Sequence, residues 1–558
     1  MISLIKDHII SKIRGLINIP FEIAQKKLRP LINLEKFNNE EVIFVMSQKD
    51  VKSAMGNEVL PVKIETDSVL LKVFENGSSN DQILSFSVDK NYFVKTLLSN
   101  VGLPREKLKN QHVLVEFSSP NIAKPFHIGH LRSTIVGNFV ANCCKSLYGR
   151  VTKLNYLGDW GVQVGYVKAG LEDLNISTEQ LSQDPIRLLY KAYVDAYNRN
   201  DTEERAKSFF SELEHGTCSE DNKVFWENVR ELSMNNLRDT YSDLEIKFDE
   251  YCYESDYKIA NIKELLKNLE SHGVAKRKSP NDLLVLCTES GNEIPLTRED
   301  GTTLYLSRDI AAALDRLNRY EDCKHLYYVV DKSQVEHFVN VANAVHSYTG
   351  RDVVKHIQFG RVTGVSSRKG TALLLQDILD KAVEKMAAQQ QASQNTRTDD
   401  AEVTRILAVT LLMVYMLRHS RCRDFVFNWD NAMQGRGDTG IKLQYTHCRL
   451  CSLEENCGVH LPSVCQPDLL KEPLLLDVIL QIAKCEDIIQ NSIENFESSY
   501  LITYMFKLCN LLSKCLSQIT VKGQPQEMAE QRLLVYNRAR ITLAECMLLL
   551  GVKPLTKM

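Results

Sequence analysis

Residues 112–149 constrain the fold of this 558-residue chain more than any other stretch. An apolar, Val-rich run of strand length at 112–117 leads into a Ser-Ser-Pro-Asn turn at 118–121. The sequence His-Ile-Gly-His at 127–130 then begins an amphipathic helical pattern, for which Gly149 is the predicted stop. A strand that runs through a turn into a helix predicts the opening unit of a doubly wound α/β fold.

Two histidines in the first turn of this predicted helix indicate an anion site. Backbone N–H groups at a helix N-terminus point at anions, and His127 and His130 would add donors for phosphate oxygens. Gly129 between them leaves room for a flat adenine against the backbone. The pattern predicts a nucleotide site that differs from a P-loop, whose G-x-x-x-x-G-K-[ST] sequence does not occur in the chain. Taken alone, the four residues equally fit two ordinary histidines at a helix start.

Length and composition bound the domain count and the compartment. A chain of 558 residues is too long for one core, so roughly two to four domains are expected. A net charge of −3 provides no global basic field, so any contact with RNA has to use local patches. The 15 scattered cysteines favour a reducing compartment. The longest apolar run, at 406–417, is too short to span a bilayer, so no membrane partner is expected.

One cysteine pair raises the question of a zinc site. Cys448 and Cys451 form a Cys-x-x-Cys sequence close to His447, Cys457 and His460. The pair lies inside a helical pattern, and no second Cys-x-x-Cys supplies further ligands at zinc spacing. We therefore predict no protein-bound metal.

The pattern along the chain predicts three domains. Residues 1–105 mix helical and strand patterns and predict a small α+β domain. Residues 106–400 predict a Rossmann-like α/β domain with a charged, mainly helical insertion at about 170–290. Residues 401–558 are helix-patterned and predict an all-α bundle.

The second half of the predicted Rossmann-like domain supplies strand patterns at 302–307, 325–331 and 356–362. This assignment places Asp309, Asp331 and Gln334 at the carboxyl ends of strands, where ligands collect in such folds.

A loop of small residues with two adjacent cations follows, Gly-Val-Ser-Ser-Arg-Lys-Gly at 364–370. Such a loop can close over a triphosphate, and Arg368 and Lys369 would stabilise the charge of a leaving pyrophosphate. In isolation a segment of this composition is more often a surface turn.

These motifs together resemble the class I arginyl-tRNA synthetases. The resemblance rests on V-E-F-S-S-P-N-I-A-K-P-F-H-I-G-H-L-R-S-T, on N-Y-L-G-D-W-G at 155–161 and on the helical segments at 434–440 and 443–447. It covers residues 106–558 well and residues 1–105 loosely. The loop at 364–370 departs from the general Lys-Met-Ser-Lys-Ser motif in the manner of arginyl enzymes. This departure leaves open which cation acts there, and Lys124 is a candidate substitute for the missing lysine.

The resemblance implies an ATP-dependent, two-step ligation of L-arginine to tRNA(Arg), with Mg²⁺ carried by the ATP. Phosphoryl chemistry of this kind needs positioning and charge stabilisation more than a general base. The catalytic candidates are therefore given electrostatic roles: His127, His130, Lys124, Arg368 and Lys369. The candidates for ATP binding are His127, Gly129, His130, Asp331, Ser366 and Ser367.

The family's arginine ligands fall on matching positions of this chain. A guanidinium has five donors and no acceptor, so its recognition needs carboxylates, neutral acceptors and an aromatic face. Asp309 alternatively could be a helix N-cap, which is a common role for Asp. The candidates are Glu116, Ser119, Pro120, Asn121, His130, Tyr305, Asp309 and Gln334.

The resemblance also implies that the N-terminal and C-terminal domains bind tRNA. An N-terminal domain of this size reaches the tRNA elbow in the family, although a role in stability alone is the alternative. The C-terminal bundle would read unstacked anticodon bases, with Tyr445 and the terminal Met558 as candidates. Tyr445 could instead be a core aromatic residue.

The sequence also leads to expectations about the cellular location and the oligomeric state of the protein. The basic, amphipathic first thirty residues fit either a mitochondrial presequence or a surface helix. The compact length and V-V-D-K-S-Q-V-E-H-F at 329–338 are most similar to mitochondrial members in animals, which favours the mitochondrial matrix over the cytoplasm. A monomer is expected. Another class I synthetase, or a catalytically silent RNA-binding relative, is the alternative function.

Overall fold

The computed structural model of the chain describes residues 2–17, 19–38, 41–55, 64–76, 82–99, 108–122, 126–199, 201–257, 259–278, 283–288, 291–297, 303–363, 375–393, 400–434 and 437–558. Its backbone divides into two compact units. One unit comprises residues 1–105, 395–399 and 436–558, and the other comprises residues 106–394 and 400–435. In this division residues 401–435 group with the α/β unit, and the first 105 residues group with the C-terminal helices.

The first 105 residues form the predicted small α+β arrangement. Their elements are α1 Ile2–Ile17, α2 Phe21–Leu28, β1 Asn33–Phe37, β2 Glu41–Ser47, α3 Gln48–Met55, β3 Leu70–Asn76, β4 Ile83–Val88 and α4 Lys90–Ser99. The four strands pair antiparallel in the order β1-β2-β4-β3. One face of α1 is buried, and the Nζ of Lys6 lies 2.8 Å from Asp487 in a C-terminal helix of the same unit. The first thirty residues thus contain two helices, and the first of them is packed into its unit.

The other unit contains the predicted α/β fold. Its first half consists of β5 Leu108–Glu116, α5 Ile128–Leu147, β6 Tyr148–Leu157, α6 Val162–Asp173, α7 Thr178–Gln183, α8 Pro185–Tyr197, α9 Glu203–His215, α10 Glu220–Asp243 and β7 Glu250–Tyr253. Its second half begins with α11 Ile259–Ser271, β8 Ala275–Lys278, β9 Leu283–Cys287, β10 Glu293–Pro295, α12 Tyr305–Arg319 and β11 Cys323–Asp331. It ends with α13 Val335–Thr349, β12 Val354–Phe359, β13 Val362–Thr363, α14 Leu375–Ala392, α15 Ala401–Leu417, β14 Phe425–Val426 and α16 Trp429–Ala432.

Five of these strands form one parallel sheet, which confirms the Rossmann-like fold class. The strand order is β12-β11-β5-β6-β7, so the chain winds to one side of β5 first and to the other side later. Ligands bind at this type of topological switch, beyond the carboxyl ends of the strands. The switch lies directly at the Ser-Ser-Pro-Asn turn that follows β5.

Three local predictions were wrong. Gly149 lies in strand β6 and does not stop the helix, because α5 ends at Leu147 and the chain becomes extended at once. The segment predicted as a strand at 302–307 is helical from Tyr305 onward, so Asp309 lies in the second turn of α12. The interval 170–290 is only partly a helical insertion, since β7 pairs with β6 in the main sheet.

Gly137 sets the distance between α5 and β5. A Cβ at this position would lie 2.2 Å from the Cβ of Phe117, which is fully buried. We expect Gly137→Ala to lower the free energy of unfolding by about 1–3 kcal/mol, because neither the helix nor the ring has room to move. Chemical denaturation measures this change. Equal stability of Gly137→Ala and the wild type would contradict this packing.

The C-terminal helices complete the first unit. They are α17 Gly440–Asn456, α18 Pro473–Ala483, α19 Cys485–Asn495, α20 Ser498–Gln518 and α21 Gln526–Leu550, and they form the predicted all-α bundle. None of the described helices combines the length and the apolar character that a membrane span requires.

Candidate active site

The turn after β5 has a strained backbone. Ser118 and Ser119 have φ values of 74° and 46°, in the left-handed region that residues other than glycine rarely adopt. Such a conformation costs roughly 1–3 kcal/mol per residue and persists where its surroundings fix it. The Ser118 N–H donates to Ser133 Oγ at 3.2 Å, and the Ser119 N–H donates to Asn155 Oδ1 at 3.1 Å. Strain held in this way is typical of a ligand site.

A buried tyrosine completes the support of this turn. The Tyr241 hydroxyl lies 2.8 Å from Ser118 Oγ and accepts a hydrogen bond from Asn155 Nδ2 at 2.9 Å. Burial raises the pKa of Tyr241, so the phenol stays neutral. The Phe126 ring lies 5.8 Å from the Tyr241 ring and 5.4 Å from the His130 ring. The turn after β5 and the first turn of α5 therefore share one packed support.

The Pro-Asn half of the turn lies against the end of β6. The Gly158 N–H donates to the Pro120 carbonyl at 3.2 Å, and the Ile122 N–H donates to the Gly158 carbonyl at 3.1 Å. A Cβ on Gly158 would lie 2.1 Å from Asn121 Oδ1, so a larger residue here would displace the Asn121 side chain. The contact gives a physical reason for the first glycine of the Gly-Asp-Trp-Gly sequence.

The aspartate of that sequence fixes a second turn. Asp159 is fully buried and accepts from the N–H and the hydroxyl of Ser255 at 2.9 and 2.6 Å. Its backbone carbonyl accepts from the indole N–H of Trp226 at 3.0 Å. These bonds hold the turn at 254–256, directly after β7, and so determine the position of Glu254.

His127 and His130 form the cap of α5. His127 Nδ1 accepts from the Gly129 N–H at 3.1 Å, and His130 Nδ1 accepts from the His127 N–H at 3.3 Å. The two rings are stacked, with centroids 4.0 Å apart. An accepting Nδ1 in a neutral imidazole places the ring proton on Nε2, which makes Nε2 the donor atom. The arrangement matches the predicted pair of donors at a helix N-terminus.

Glu116 has a partner that the sequence did not reveal. The last residue of β5 forms a buried ion pair with Arg316 of α12, and Arg316 also donates to the Tyr328 hydroxyl at 3.0 Å. Glu116 accepts weakly from Ser119 Oγ at 3.4 Å. Its carboxylate therefore already binds one guanidinium, which belongs to the chain itself. Burial raises the pKa of the Glu116 carboxyl, the Arg316 cation opposes this rise, and the nearby charge of Asp309 adds to it.

Asp309 lies on α12 and faces the first turn of α13. Its Oδ2 lies 2.6 Å from Nε2 of His337, while its Oδ1 has no hydrogen-bond partner among the described residues. The residue that caps the N-terminus of α12 is Leu304, so the alternative of Asp309 as a helix N-cap is wrong.

Two further polar groups lie near Asp309 without hydrogen bonds from their side chains to the described residues. Burial, with the charge of Asp309 as the next cause, raises the pKa of Glu254 to about 8. The same two causes raise the pKa of Tyr156, whose hydroxyl is buried and unpaired. A cation placed here would lower the pKa of Glu254 and give both groups a partner.

Sequence reasoning missed Glu254, Tyr156 and His337. Glu254 directly follows β7, and recognising that short strand would have placed this carboxylate at the edge of the sheet. His337 lies one helical turn after Gln334, within the quoted segment at 329–338.

The remaining predicted ligands of the second half lie at the ends of its elements. Asp331 ends β11, accepts from the Ser333 N–H at 2.8 Å and is paired with Arg361 at 3.0 Å. Gln334 is exposed and precedes α13. Tyr305 begins α12 and is 67% exposed. Lys124, Ser366, Ser367, Arg368 and Lys369 lie outside the described residues.

The two tRNA candidates lie in the other unit. Tyr445 on α17 is 39% exposed, with the Arg449 guanidinium 5.7 Å from its ring centroid, so the core alternative is wrong. Met558 is partly exposed at the end of a tail that is attached to α17, where Gln444 accepts from the Leu555 N–H at 2.9 Å. The Leu555 carbonyl accepts from both His447 and Cys448, at 2.8 and 3.2 Å.

The zinc question concerns the same helix. No group of three or more His, Cys, Asp or Glu side chains in the described part of the chain is placed to hold a metal ion.

Two family models match the chain between residues 93 and 558. The family model described as tRNA synthetases class I (R), catalytic domain, matches residues 93–429. This match covers more than half of the chain and includes every element of the site described above. The chain belongs to the class I arginyl-tRNA synthetases. It is accordingly an arginine–tRNA ligase that uses ATP, as the sequence resemblance implied. The DALR anticodon binding domain matches residues 443–558, so α17 to α21 belong to that domain.

Curated relatives agree with this assignment, and a solved structure has the same fold. A probable cytoplasmic arginine–tRNA ligase of Dictyostelium discoideum is 34% identical over 531 residues, which cover 87% of this chain and 88% of the relative. A probable mitochondrial arginine–tRNA ligase of Mus musculus is 32% identical, with 89% and 88% covered. The arginyl-tRNA synthetase of Thermus thermophilus has the same fold, with a TM-score of 0.79 at 19% identity over 96% of this chain and 99% of that one.

Proposed function

We propose that the arginine substrate binds at the carboxyl edge of the parallel sheet, with its guanidinium between Asp309 and Glu254. The observation that carries this proposal is a group of acidic and phenolic oxygens around Asp309 that have no hydrogen-bond partner within the described part of the chain, beside a strained turn and a histidine cap. Among the described residues, no hydrogen bond is made to Asp309 Oδ1, to the Tyr156 hydroxyl or to the Glu254 carboxylate. A guanidinium needs such an arrangement, since it has five donors and no acceptor.

We assign Glu116 a supporting role in place of direct contact. Its ion pair with Arg316 fixes β5 to α12 and thereby fixes Asp309 relative to the Ser-Ser-Pro-Asn turn. Asn121, Ser119 and Pro120 would hold the α-amino and carboxylate groups of the substrate, with His130 on the other side. Gln334 and Tyr305 would close the guanidinium end.

The nucleotide is assigned to the cap of α5. Nε2 atoms of His127 and His130 would donate to the α-phosphate as the arginine carboxylate oxygen forms a bond to phosphorus and the bond to pyrophosphate breaks. Adenine would lie against Gly129, and Asp331 would reach the ribose side. In the second step the 2′-hydroxyl of the terminal adenosine attacks the acyl carbon, and AMP leaves. Lys124, Ser366, Ser367, Arg368 and Lys369 are proposed to act on the phosphates, with Mg²⁺ bound by ATP itself.

Pyrophosphate exchange tests the proposal. With tRNA(Arg) present, the chain should exchange pyrophosphate into ATP when arginine is supplied, and lysine or citrulline should not replace arginine. Omission of tRNA should reduce the exchange, because members of this family activate arginine on the tRNA complex. Exchange that responds to another amino acid would refute the assigned pocket.

Because Glu254 has a raised pKa, we expect the enzyme to bind arginine more tightly as the pH rises. Its pKa of about 8 is raised above the usual value, so at neutral pH much of the carboxyl is protonated in the free enzyme. A bound guanidinium stabilises the ionised form, so the arginine Kd should fall by about tenfold between pH 7 and pH 9. Calorimetric titration of arginine at pH 7, 8 and 9 measures this change.

Glu254→Gln is the matched control for that titration. The amide cannot ionise, so the variant should lose the pH dependence but retain any contribution from the α-amino group of arginine itself. A wild-type Kd that changes with pH in parallel with the variant would exclude Glu254 from the pocket.

We further propose that the enzyme acts as a monomer in mitochondrial translation. The named mitochondrial relatives support this location, and the Dictyostelium relative supports a cytoplasmic alternative. Fractionation of cells that carry the full chain with a C-terminal tag would decide the location. Light scattering on the purified protein would determine its oligomeric state.

A further inference from the structure

We infer that His337 is a positioning residue that orients Asp309 and so helps the enzyme to distinguish arginine from lysine. The inference rests on the proposed arginine pocket. His337 Nε2 lies 2.6 Å from Asp309 Oδ2, and a separation this short is typical of a charge-assisted hydrogen bond. The bond joins α12, which carries Asp309, to α13, which begins directly after Gln334.

The imidazole lies edge-on to the ring of the next residue, with the ring centroids 5.2 Å apart. The neighbouring Phe338 is buried and packs against the rings of Tyr328 and His356, with centroids 4.7 and 5.1 Å away. Tyr328 in turn accepts from Arg316, the partner of Glu116. The start of α13 is thereby fixed against the sheet, and His337 presents its Nε2 to Asp309 from a fixed position.

A fixed carboxylate matters more for a guanidinium than for an ammonium. A guanidinium makes two parallel N–H···O bonds and therefore needs a carboxylate of defined plane, whereas an ammonium is a point charge with rotatable donors. Each carboxylate oxygen has two lone pairs, so Oδ2 can accept from His337 and still face a ligand on its other side. Loss of the imidazole would release the carboxylate to rotate, which weakens the binding of arginine more than that of lysine.

The test compares three substitutions at one position. Leu in His337→Leu keeps much of the volume and removes the donor. Gln in His337→Gln places an amide nitrogen near the position of Nε2, and Asn in His337→Asn places one too far back to reach Asp309. Val341→Ala, a buried position on the same helix, is the control for lost stability.

The readout is a ratio that a general loss of stability does not change. Arginine KM is measured in pyrophosphate exchange with tRNA present, and the inhibition constant of lysine is measured as a competitor in the same assay. We expect His337→Leu and His337→Asn to raise the arginine KM about tenfold or more, with the lysine constant within about twofold of wild type. His337→Gln should restore most of the difference, and Val341→Ala should leave the ratio unchanged.

Failure of the His337 role and failure of the arginine pocket give different results. If Asp309→Ala abolishes exchange but His337→Leu keeps the wild-type ratio, the orienting role of His337 is refuted and the pocket is retained. If His337→Gln behaves like His337→Leu, a hydrogen bond to Asp309 is not what the imidazole supplies, and the inference is equally refuted. If Asp309→Ala exchanges normally, the proposed pocket itself is wrong.

Discussion

Asp309→Ala is expected to abolish arginine-dependent pyrophosphate exchange while tRNA(Arg) binding stays close to normal. The substitution removes the carboxylate that we propose to face the guanidinium and leaves Glu254 as the remaining acid of the pocket. Removing one member of a desolvated charge pair costs about 2–5 kcal/mol, so kcat/KM for arginine should fall by about a thousandfold. Exchange assays measure the first effect, and filter binding of labelled tRNA measures the second.

A second aspartate on the same helix provides the control. Asp315 lies on α12 and bonds to Tyr257 and Arg319, away from the Ser-Ser-Pro-Asn turn. Asp315→Ala removes the same type of side chain from the same helix, and this variant should retain exchange within a few-fold of wild type. Equal loss in both variants would mean that α12 had been disturbed in general, and undiminished exchange in Asp309→Ala would remove Asp309 from the pocket.

Glu116→Ala is expected to destabilise the α/β unit by about 3–5 kcal/mol, because it leaves the Arg316 cation buried without its carboxylate. Both side chains are almost completely buried, with 0% of Arg316 and 4% of Glu116 exposed to solvent. Water cannot replace the lost partner, so the desolvation cost of the guanidinium is no longer offset. Urea denaturation followed by circular dichroism measures the change.

Replacing both partners separates the charge from the packing. Glu116→Leu combined with Arg316→Met removes the pair but keeps most of the buried volume, and such a change is often neutral or stabilising. The double variant should therefore be more stable than Glu116→Ala. A single variant as stable as the wild type would show that Arg316 finds another partner. A direct substrate contact by Glu116 would instead give lost arginine binding with unchanged stability.

The local sequence pattern was sufficient to predict the backbone elements of the site, but it did not predict which distant side chains pair within it. Strand β5, the turn and the histidine cap lie within 23 consecutive positions, from 108 to 130, so short-range periodicity and turn chemistry define them. Arg316 is 200 positions from Glu116, and no sequence pattern relates the two. The family resemblance matched Glu116 to an arginine ligand, and only the packing of α12 on the sheet revealed which arginine it binds.

The misplacement of Asp309 has a related cause. Residues 302–307 contain Thr, Leu and Tyr in an arrangement that suits a strand equally well, and a short apolar run cannot be told from a buried helix turn by periodicity alone. Because the segment is helical from Tyr305, Asp309 faces His337 on the neighbouring helix and does not follow a strand. Glu254 was missed for the complementary reason, since the four-residue strand β7 lies between helices and was included in the predicted insertion.

A crystal structure of the chain with a non-hydrolysable arginyl-adenylate analogue would show whether Asp309 and Glu254 bind the substrate guanidinium. We expect guanidinium nitrogens within about 3 Å of Asp309 and Glu254 oxygens, and the adenosine against Gly129 beside His127 and His130. A guanidinium bound elsewhere, with Asp309 still joined only to His337, would contradict this expectation.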